Sequence, residues 1–242
     1  MNIKGKTVLI TGANRGVGRA LVVEALALGA KRIYAGTRGA LDVSDARVTP
    51  LVIDVTNAAE IAEAAGAVAA LDILINNAGV AIYGDFGNLD LIAQHLAVNL
   101  FGALDVARAF LPQLKRSRGA IVNMLSLAAV APAPFMPAYS ISKAAALNMT
   151  QTLRAFLAGH GVTVHGVILG PVDTDMTRGL EIPKAAPASV AQGVFEGLAN
   201  GEDEIFPDPA SQSIAEGWRA GVVKALERQF QTFAPKQAEQ AG

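Results

Sequence analysis

A tyrosine and a lysine four residues apart carry the clearest chemistry in this sequence. Tyr139 and Lys143 belong to the segment Tyr-Ser-Ile-Ser-Lys, and on a helix this spacing places both side chains on one face. A free tyrosine titrates at about 10, and a neighbouring cation favours the phenolate and lowers that pKa. Ser126, thirteen residues earlier, carries a hydroxyl that can bond the oxygen that Tyr139 protonates. The three residues together predict acid–base chemistry at an oxygen, whereas an isolated pair with this spacing is typical of an ordinary helix surface.

A glycine-rich stretch near the N-terminus predicts a turn that holds phosphate. Glycines allow a tight turn and let the backbone approach a pyrophosphate, and a following helix offers its N–H groups and positive dipole end. The position of this stretch, between the first predicted strand and the first predicted helix, favours dinucleotide binding over an ordinary glycine-rich loop. The stretch consists of Thr11, Gly12, Ala13, Asn14, Arg15, Gly16, Val17 and Gly18.

The end of the second predicted strand indicates which dinucleotide is bound. An NAD site usually has an acidic residue there for the ribose 2′-hydroxyl, but this chain has Thr37 and Arg38. Together with Arg15 in the glycine-rich stretch, Arg38 suits a 2′-phosphate and favours NADP(H). The alternative is two solvated surface arginines. Asp42 is a candidate for the missing acid, but it lies well beyond the strand end.

Alternating strands and helices must position these groups. Each predicted strand is apolar on both faces, which indicates a parallel sheet covered by helices on both sides. We therefore expect an α/β fold, a Rossmann-type doubly wound parallel sheet of about seven strands, in a single domain over residues 1–242 with a helical tail from about 207. Strands are predicted over residues 7–11, 32–36, 51–53, 73–75, 120–124, 162–168 and 204–206, and helices over 16–28, 57–70, 89–115, 138–158 and after 187. Between the second and third strands, residues 38–50 leave room for no more than a stub of helix.

Composition excludes several other classes of protein. The chain has 242 residues, 52% of them hydrophobic, and a net charge of −1, which argues for a globular protein without the basic excess of nucleic-acid binders. It has no cysteine and three histidines, which argues against a metal site. Prolines and polar residues interrupt the apolar stretch 120–138, so no membrane helix is expected there. These features predict a soluble, cytoplasmic protein.

The motifs, in order and at their usual spacing, resemble those of the short-chain dehydrogenase/reductase family. The resemblance runs from about residue 4 to residue 206. The glycine motif of the family matches residues 11–18, and its Asn-Asn-Ala-Gly motif matches residues 76–79. Its helix asparagine, its serine and its Tyr-x-x-x-Lys motif match Asn99, Ser126, Tyr139 and Lys143. The sequence departs from the family pattern after the sixth predicted strand, where the proline is residue 171 and so comes two places later than usual.

The resemblance implies a role for each matched residue. Tyr139 would be the general acid in carbonyl reduction and the base in alcohol oxidation. Lys143 would lower its pKa and hold the nicotinamide ribose, Ser126 would orient the carbonyl, and Asn99 would bind a water in a proton relay. The remaining cofactor contacts would be Asp54 and Val55 at the adenine, Asn77, Ala78 and Gly79 on the cofactor floor, and Val172 and Thr174 at the carboxamide.

The substrate is expected to be a small apolar ketone, aldehyde or secondary alcohol. The alternatives are a nonenzymatic NADP-sensing protein and an NAD-dependent alcohol dehydrogenase. A sugar-nucleotide epimerase or dehydratase is less expected, because the residues after Phe206 are too few for the large substrate domain of such enzymes. Apolar helices predict a homo-oligomer, a tetramer or a dimer. Trp218 is expected either to cap the pocket or to lie in a subunit contact. The pocket candidates are Val80, Ile82, Tyr83, Ala128, Pro134, Phe135, Met136, Met176, Leu180 and Ile182.

Overall fold

Seven short runs of residues form one parallel sheet. The computed structural model of the chain describes residues 1–39, 41 and 44–233. The sheet order is β3-β2-β1-β4-β5-β6-β7, with every neighbouring pair parallel. Because the order reverses between β1 and β4, the carboxyl ends of these strands flank the crevice where such sheets bind ligands. The strands are β1 (Thr7–Thr11), β2 (Arg32–Thr37), β3 (Val48–Val52), β4 (Ile73–Asn76), β5 (Ala120–Met124), β6 (Thr163–Val167) and β7 (Glu204–Ile205).

Helices cover both faces of this sheet, so the predicted doubly wound fold is confirmed. A π-helical segment (Ala97–Gly102) joins α3 to α4, and the three together form one continuous helix. The helices are α1 (Gly16–Ala27), α2 (Ala58–Ala67), α3 (Leu89–Leu96), α4 (Ala103–Ser117), α5 (Pro137–Leu157), α6 (Pro187–Asn200), α7 (Pro209–Ala220) and α8 (Val222–Gln231).

Alternation along the central strands divides the core into two layers. On β1, Val8 and Ile10 belong to the hydrophobic cluster that includes residues of α1 and α6. Leu9, between them, belongs to the cluster on the opposite face, with residues of α2 and α4. All three side chains are fully buried, as expected for strands covered on both faces. This packing fixes the carboxyl ends of β1, β4, β5 and β6 along one edge.

Two elements differ from the sequence-based prediction. β3 begins at Val48, three residues before the predicted start, and includes Pro50. Proline argues against a central strand, but β3 is an edge strand of the sheet, where a missing N–H is tolerated. The tail comprises two helices, because the chain turns at Gly221 between α7 and α8. Asn57 caps α2, and its side chain accepts from the backbone N–H of Ala59 at 3.0 Å.

One described helix is long and apolar enough to cross a membrane by length and composition alone. It covers Leu89–Ser117, and its most apolar window has a mean hydropathy of 1.2, with 28% of that window buried. Its inner side chains, among them Val106, Phe110 and Leu114, belong to the cluster packed on the sheet. Residues 120–138, the interrupted apolar stretch described above, are β5, the turns that follow it and the first two residues of α5.

Candidate active site

The glycine-rich turn has the backbone geometry of an anion cradle. Gly12 and Gly16 have φ values of +64° and +53°, a region that favours glycine. A Cβ on Gly18 would lie 2.1 Å from the carbonyl oxygen of Gly12, so no side chain fits there. α1 begins at Gly16, and its first N–H groups have no partner within the helix. The turn can therefore bind the phosphates of a dinucleotide. Asn14 and Val17 lie half-buried in the same turn, and Arg15 is exposed.

Hydrogen bonds tie this turn to the loop after β4. The hydroxyl of Thr11 accepts from the backbone N–H of Asn77 and of Ala78, both at 3.0 Å. The side-chain amide of Asn77 donates to the carbonyl oxygens of Thr11 and Gly12 at 2.9 and 3.1 Å. These bonds hold the floor of the crevice at the point where the strand order reverses.

The corner at the end of β2 contains an ion pair that the sequence does not predict. Thr37 is buried, and its hydroxyl accepts from the N–H of Gly39 at 3.1 Å. The guanidinium of Arg38 lies 3.3 Å from the carboxylate of Asp54, with 73% of the Arg38 side chain exposed. Hydrogen bonds from Thr56, together with Arg38, lower the pKa of Asp54 despite its partial burial. Asp42, the candidate acid, lies outside the described residues.

Ser126 and Tyr139 meet at the carboxyl end of β5. Ser126 follows the strand, and its hydroxyl accepts from the N–H of Ala128 at 3.1 Å in the next turn. α5 begins at Pro137, which suits the first turn of a helix, and brings Tyr139 back over that turn. The Ser126 hydroxyl lies close enough to the Tyr139 phenol to lower its pKa. The structure thus joins the two hydroxyls that the sequence pairs at one oxygen.

Burial controls the protonation of Tyr139 and Lys143. Burial raises the pKa of Tyr139, and the nearby Ser126 hydroxyl opposes that rise only in part. Burial also lowers the pKa of Lys143 to about 8. The ammonium group of Lys143 lies 5.7 Å from the centre of the Tyr139 ring and donates to the carbonyl oxygen of Met124 at 2.7 Å. The pKa of Tyr139 therefore shifts in the direction opposite to the expected lowering, because desolvation outweighs the effect of the Ser126 hydroxyl.

Asn99 lies in the π-helical segment, a distortion that is frequent at functional sites. Its amide accepts from the N–H of Val80 and donates to the carbonyl oxygen of Val80, both at 2.9 Å. It also donates to the hydroxyl of Ser142 at 2.9 Å. A Cβ on Gly79 would lie 3.2 Å from Asn99 Oδ1 and 3.9 Å from the Lys143 nitrogen. Asn99 thus joins the loop after β4 to the helix that carries Lys143.

Val55 fits against the same segment only because residue 102 is glycine. A Cβ on Gly102 would lie 2.7 Å from the Cγ2 of Val55, and Val55 is buried. The position where the resemblance puts the adenine is therefore built from close backbone packing between the loop after β3 and the π-helical segment.

The loop after β6 reaches the glycine-rich turn and encloses a cleft of about 500 Å³. A Cβ on Gly16 would lie 3.2 Å from the methyl group of Thr174, and Val172 is buried beside an isolated bridge to Ala185. The sequence-based prediction includes only Gly16 and Thr174 of this lining. The charged side chains in the loop after β6 are the sequence signal that could have indicated the rest. The cleft is lined by Gly16, Asp173, Thr174, Asp175, Arg178, Gly179, Lys184 and Pro187.

Asp175 links two cations at this cleft. Its carboxylate lies 3.6 Å from the guanidinium of Arg15 and forms a second ion pair with Arg178. Lys184 donates to the carbonyl oxygen of Thr177 at 2.8 Å. Arg15 therefore has a carboxylate partner in this structure, as Arg38 has.

The apolar pocket candidates fall into two groups. Val80, Ala128, Met136 and Leu180 are half-buried. The others are exposed in the loops after β4, β5 and β6, and we call them the apolar rim. Within it, the ring centres of Tyr83 and Phe135 lie 6.3 Å apart and the rings stack. The exposed members are Ile82, Tyr83, Pro134, Phe135, Met176 and Ile182.

Trp218 is half-buried and packs against the core of its own chain, and its place at the pocket or in a subunit contact stays a prediction. It contacts the cluster of Leu125 and Leu147 and the cluster of Ile168 and Phe206. Its indole N–H donates to the carboxylate of Glu204 at 3.0 Å. Among the described residues, no group of three or more His, Cys, Asp or Glu side chains could hold a metal ion.

Comparisons with known proteins agree on one family. The family model described as short chain dehydrogenase matches residues 6–184. The ketoacyl reductase HetN of Nostoc sp. is 34% identical over 238 residues, which cover 88% of this chain and 83% of that protein. A short chain dehydrogenase from Burkholderia cenocepacia, solved in complex with NADP, is 39% identical with a TM-score of 0.87 and covers 95% of this chain and 98% of its own. An NADPH-bound carbonyl reductase from chicken fatty liver is 26% identical with a TM-score of 0.76, over 82% of this chain and 88% of its own.

Proposed function

We propose that this chain, which belongs to the short-chain dehydrogenase family, is an NADP(H)-dependent oxidoreductase that interconverts an apolar carbonyl compound and its alcohol. The observation that carries the proposal is the meeting of the Ser126 and Tyr139 side chains at the carboxyl end of β5, with the Lys143 ammonium 5.7 Å from the centre of the tyrosine ring. This arrangement places a proton donor and a second hydroxyl where α/β sheets bind ligands.

The crevice fits a dinucleotide. Gly12 and Gly16 adopt left-handed backbone conformations, and Gly18 has no room for a Cβ, so the turn leaves backbone N–H groups open to a pyrophosphate. On this proposal, Thr37, Arg38, Asp54 and Val55 hold the adenosine end, and Tyr139 and Lys143 hold the nicotinamide ribose. Asn14, Arg15 and Val17 complete the phosphate turn, Asn77, Ala78 and Gly79 the floor, and Val172 and Thr174 the carboxamide end.

The protein residues supply the proton chemistry. When bound, the reduced nicotinamide supplies a hydride. Ser126 orients the carbonyl oxygen, and Tyr139 donates the proton that turns the resulting alkoxide into an alcohol. Burial keeps Tyr139 protonated at neutral pH, which favours this reductive direction. Lys143 stabilises the phenolate left behind, because its cation lies beside the ring, and Asn99 would bind a water in the proton relay that links Lys143 to solvent.

The cofactor preference rests on Arg38 and Arg15 and on the lack of an acidic side chain at the end of β2. Two similar solved structures, named as NADP and NADPH complexes, support it. The apolar rim supports a ketone, aldehyde or secondary alcohol with a hydrophobic substituent. We further propose a homo-oligomer, a dimer or tetramer, in the cytoplasm, with residues 1–242 as one catalytic domain whose helical tail begins near residue 207.

A carbonyl panel tests the proposal. The wild-type protein is mixed with NADPH and a series of aliphatic and aromatic ketones and aldehydes, and cofactor oxidation is followed by absorbance. Tyr139→Phe, which removes only the hydroxyl, should lower turnover about 10²- to 10⁴-fold while NADPH binding, measured by fluorescence, persists. Tyr34→Phe, on β2, is the matched control and should leave turnover unchanged. Wild-type turnover in Tyr139→Phe, or NADPH binding without any turnover in the wild type, would favour a nonenzymatic NADP-sensing role.

A further inference from the structure

A buried histidine that the proposed mechanism does not use lies against the general acid. His95, at the end of α3, is fully buried. Its ring centre is 6.4 Å from that of Tyr139, and the two rings meet edge to face at 74°. Such aromatic pairs are favourable and restrict ring orientation. Histidine is rarely this buried without a specific set of partners.

Both ring nitrogens of His95 have partners that fix one neutral tautomer. Nδ1 lies 2.7 Å from the carbonyl oxygen of Leu91, and because a carbonyl only accepts, Nδ1 carries the proton. Nε2 lies 3.0 Å from the backbone nitrogen of Ile82, and because that N–H only donates, Nε2 is the acceptor. The ring therefore bridges its own helix and the loop after β4.

The same loop is held at a second point from the same helix. Asn99, four residues after His95, bonds both backbone groups of Val80, and His95 bonds Ile82, two residues later. Beyond this point the loop carries Tyr83, whose ring stacks on Phe135, just before α5. His95 thus touches Tyr139 directly and holds the segment whose side chains form one side of the apolar rim.

We propose that His95 is a positioning residue that sets the distance between the apolar rim and Tyr139 and thereby determines how well a hydrophobic substituent of the substrate is held. This inference rests on the proposed carbonyl reductase function. The group that His95 positions is the Ile82–Tyr83 backbone, and the acceptor Nε2 is the atom through which it acts. Without that acceptor, the loop is held only by the bonds between Asn99 and Val80. Substrate binding is then weakened more than the rate of the chemical step.

Two histidine variants separate the two nitrogens. The amide of glutamine reaches about as far as Nε2, so His95→Gln keeps an acceptor for Ile82. The amide of asparagine reaches only about as far as Nδ1, so His95→Asn keeps the bond to Leu91 and loses the loop. We expect His95→Asn to raise KM for a ketone with a large hydrophobic substituent about tenfold. KM for a small ketone without that substituent, and the Kd for NADPH, should stay near the wild-type values, as should all constants of His95→Gln.

A second pair of variants removes the same bond from its exposed end, in case a polar amide in the core prevents folding. Ile82→Pro removes the donor N–H, whereas Ile82→Ala shortens the side chain and keeps it. Ile82→Pro should raise KM for the ketone with a large substituent as His95→Asn does, and this rise should exceed any rise in Ile82→Ala. Equal KM values in His95→Asn and His95→Gln, or in the two Ile82 variants, would overturn the role of His95 while the wild type still turns over ketones. A wild type without carbonyl turnover would overturn the proposed function, and this inference with it.

Discussion

Burial favours the neutral forms of both Tyr139 and Lys143. It raises the pKa of the phenol, so that Tyr139 is an acid at neutral pH, and lowers the pKa of the amine to about 8. The sequence identifies both residues by type and spacing, but not these directions, since desolvation depends on what packs around the pair. The role of His95 is hidden in the same way, because its bond to Ile82 and its contact with the Tyr139 ring arise from tertiary structure.

Carbonyl reduction should lose activity as Lys143 deprotonates. With a pKa of about 8, Lys143 is cationic below that pH and neutral above it, and a neutral amine no longer stabilises the phenolate left by proton donation. We expect kcat/KM for ketone reduction to fall as the pH rises through about 8, since kcat/KM reports ionisations of the free enzyme. In Lys143→Arg, whose guanidinium does not titrate in this range, the fall should move to higher pH. An unmoved alkaline limb in this variant would assign that limb to another group.

The cofactor preference should depend on Arg38. In Arg38→Asp the cation that suits a 2′-phosphate is replaced by the acid that an NAD site uses. The side chain of Arg38 is 73% exposed and already paired with Asp54. Solvent screening and the competing carboxylate therefore reduce its contribution to binding of the 2′-phosphate. We expect the ratio of kcat/KM for NADPH to that for NADH to fall by roughly 10- to 100-fold at low salt. Arg32→Asp, the same change at the other end of β2, should leave the ratio unchanged, and an equal effect there would argue against Arg38.

At the scale of elements, a strand or helix can be predicted from the sequence where its own residues supply the apolar pattern or the cap. The Asn57 cap and the central strands, such as β1 and β5, follow from their own residues. The start of β3 does not, because only its place at the sheet edge makes Pro50 acceptable. The ion pair between Arg38 and Asp54 joins two elements 16 residues apart in sequence, and such pairs leave no periodic signal.

A buried charge network attaches the C-terminal helices to the sheet. Lys224 of α8 lies 2.8 Å from Glu204 of β7 and 2.9 Å from Glu227, and its side chain is 3% exposed. Arg154 of α5 lies 2.8 Å from Glu204 on the other side and also pairs with Glu227. Asp203 also pairs with both cations, at 2.9 Å from Lys224 and 3.5 Å from Arg154. The two cations and three carboxylates thus join α5, α8 and the β7 region, and the carboxylate of Glu204 also accepts from Trp218.

Removal of Lys224 should destabilise this attachment. Lys224→Met leaves Glu204 and Glu227 buried with one cation between them, and we expect the free energy of unfolding, measured in urea, to fall by about 3 kcal/mol. The further change Glu227→Gln should recover part of that loss, because it removes one uncompensated charge. Lys31→Met, at an exposed site, is the control. A loss in Lys224→Met no larger than in Lys31→Met would mean that the network contributes nothing to stability.

At the scale of the whole molecule, the candidate site is assembled from segments far apart in sequence. The glycine-rich turn, the loops after β4, β5 and β6, and the π-helical segment meet at one end of the sheet, with β1 and β4 at its centre. The motifs predict this meeting because parallel strands share a carboxyl edge. They do not predict the cations Arg178 and Lys184 at the cleft, since the loop that carries them has no regular period.

Oligomerisation should bury the apolar ridge on the two long helices. α3 and the π-helical segment lie beside α5, and Phe101 in that segment and Phe156 on α5 expose 54% and 56% of their surface. Large exposed apolar areas mark interfaces, and a two-fold axis pairs the same surface of both copies. We expect light scattering to give a dimer or tetramer for the wild type at micromolar concentration. Phe101→Glu and Phe156→Glu should each lower the measured mass toward that of the monomer. Each substitution places one carboxylate from each copy near the two-fold axis, and the two carboxylates repel each other. Val23→Glu, on the exposed face of α1 at 55% exposure, should leave the mass unchanged, and a monomeric wild type would exclude this interface.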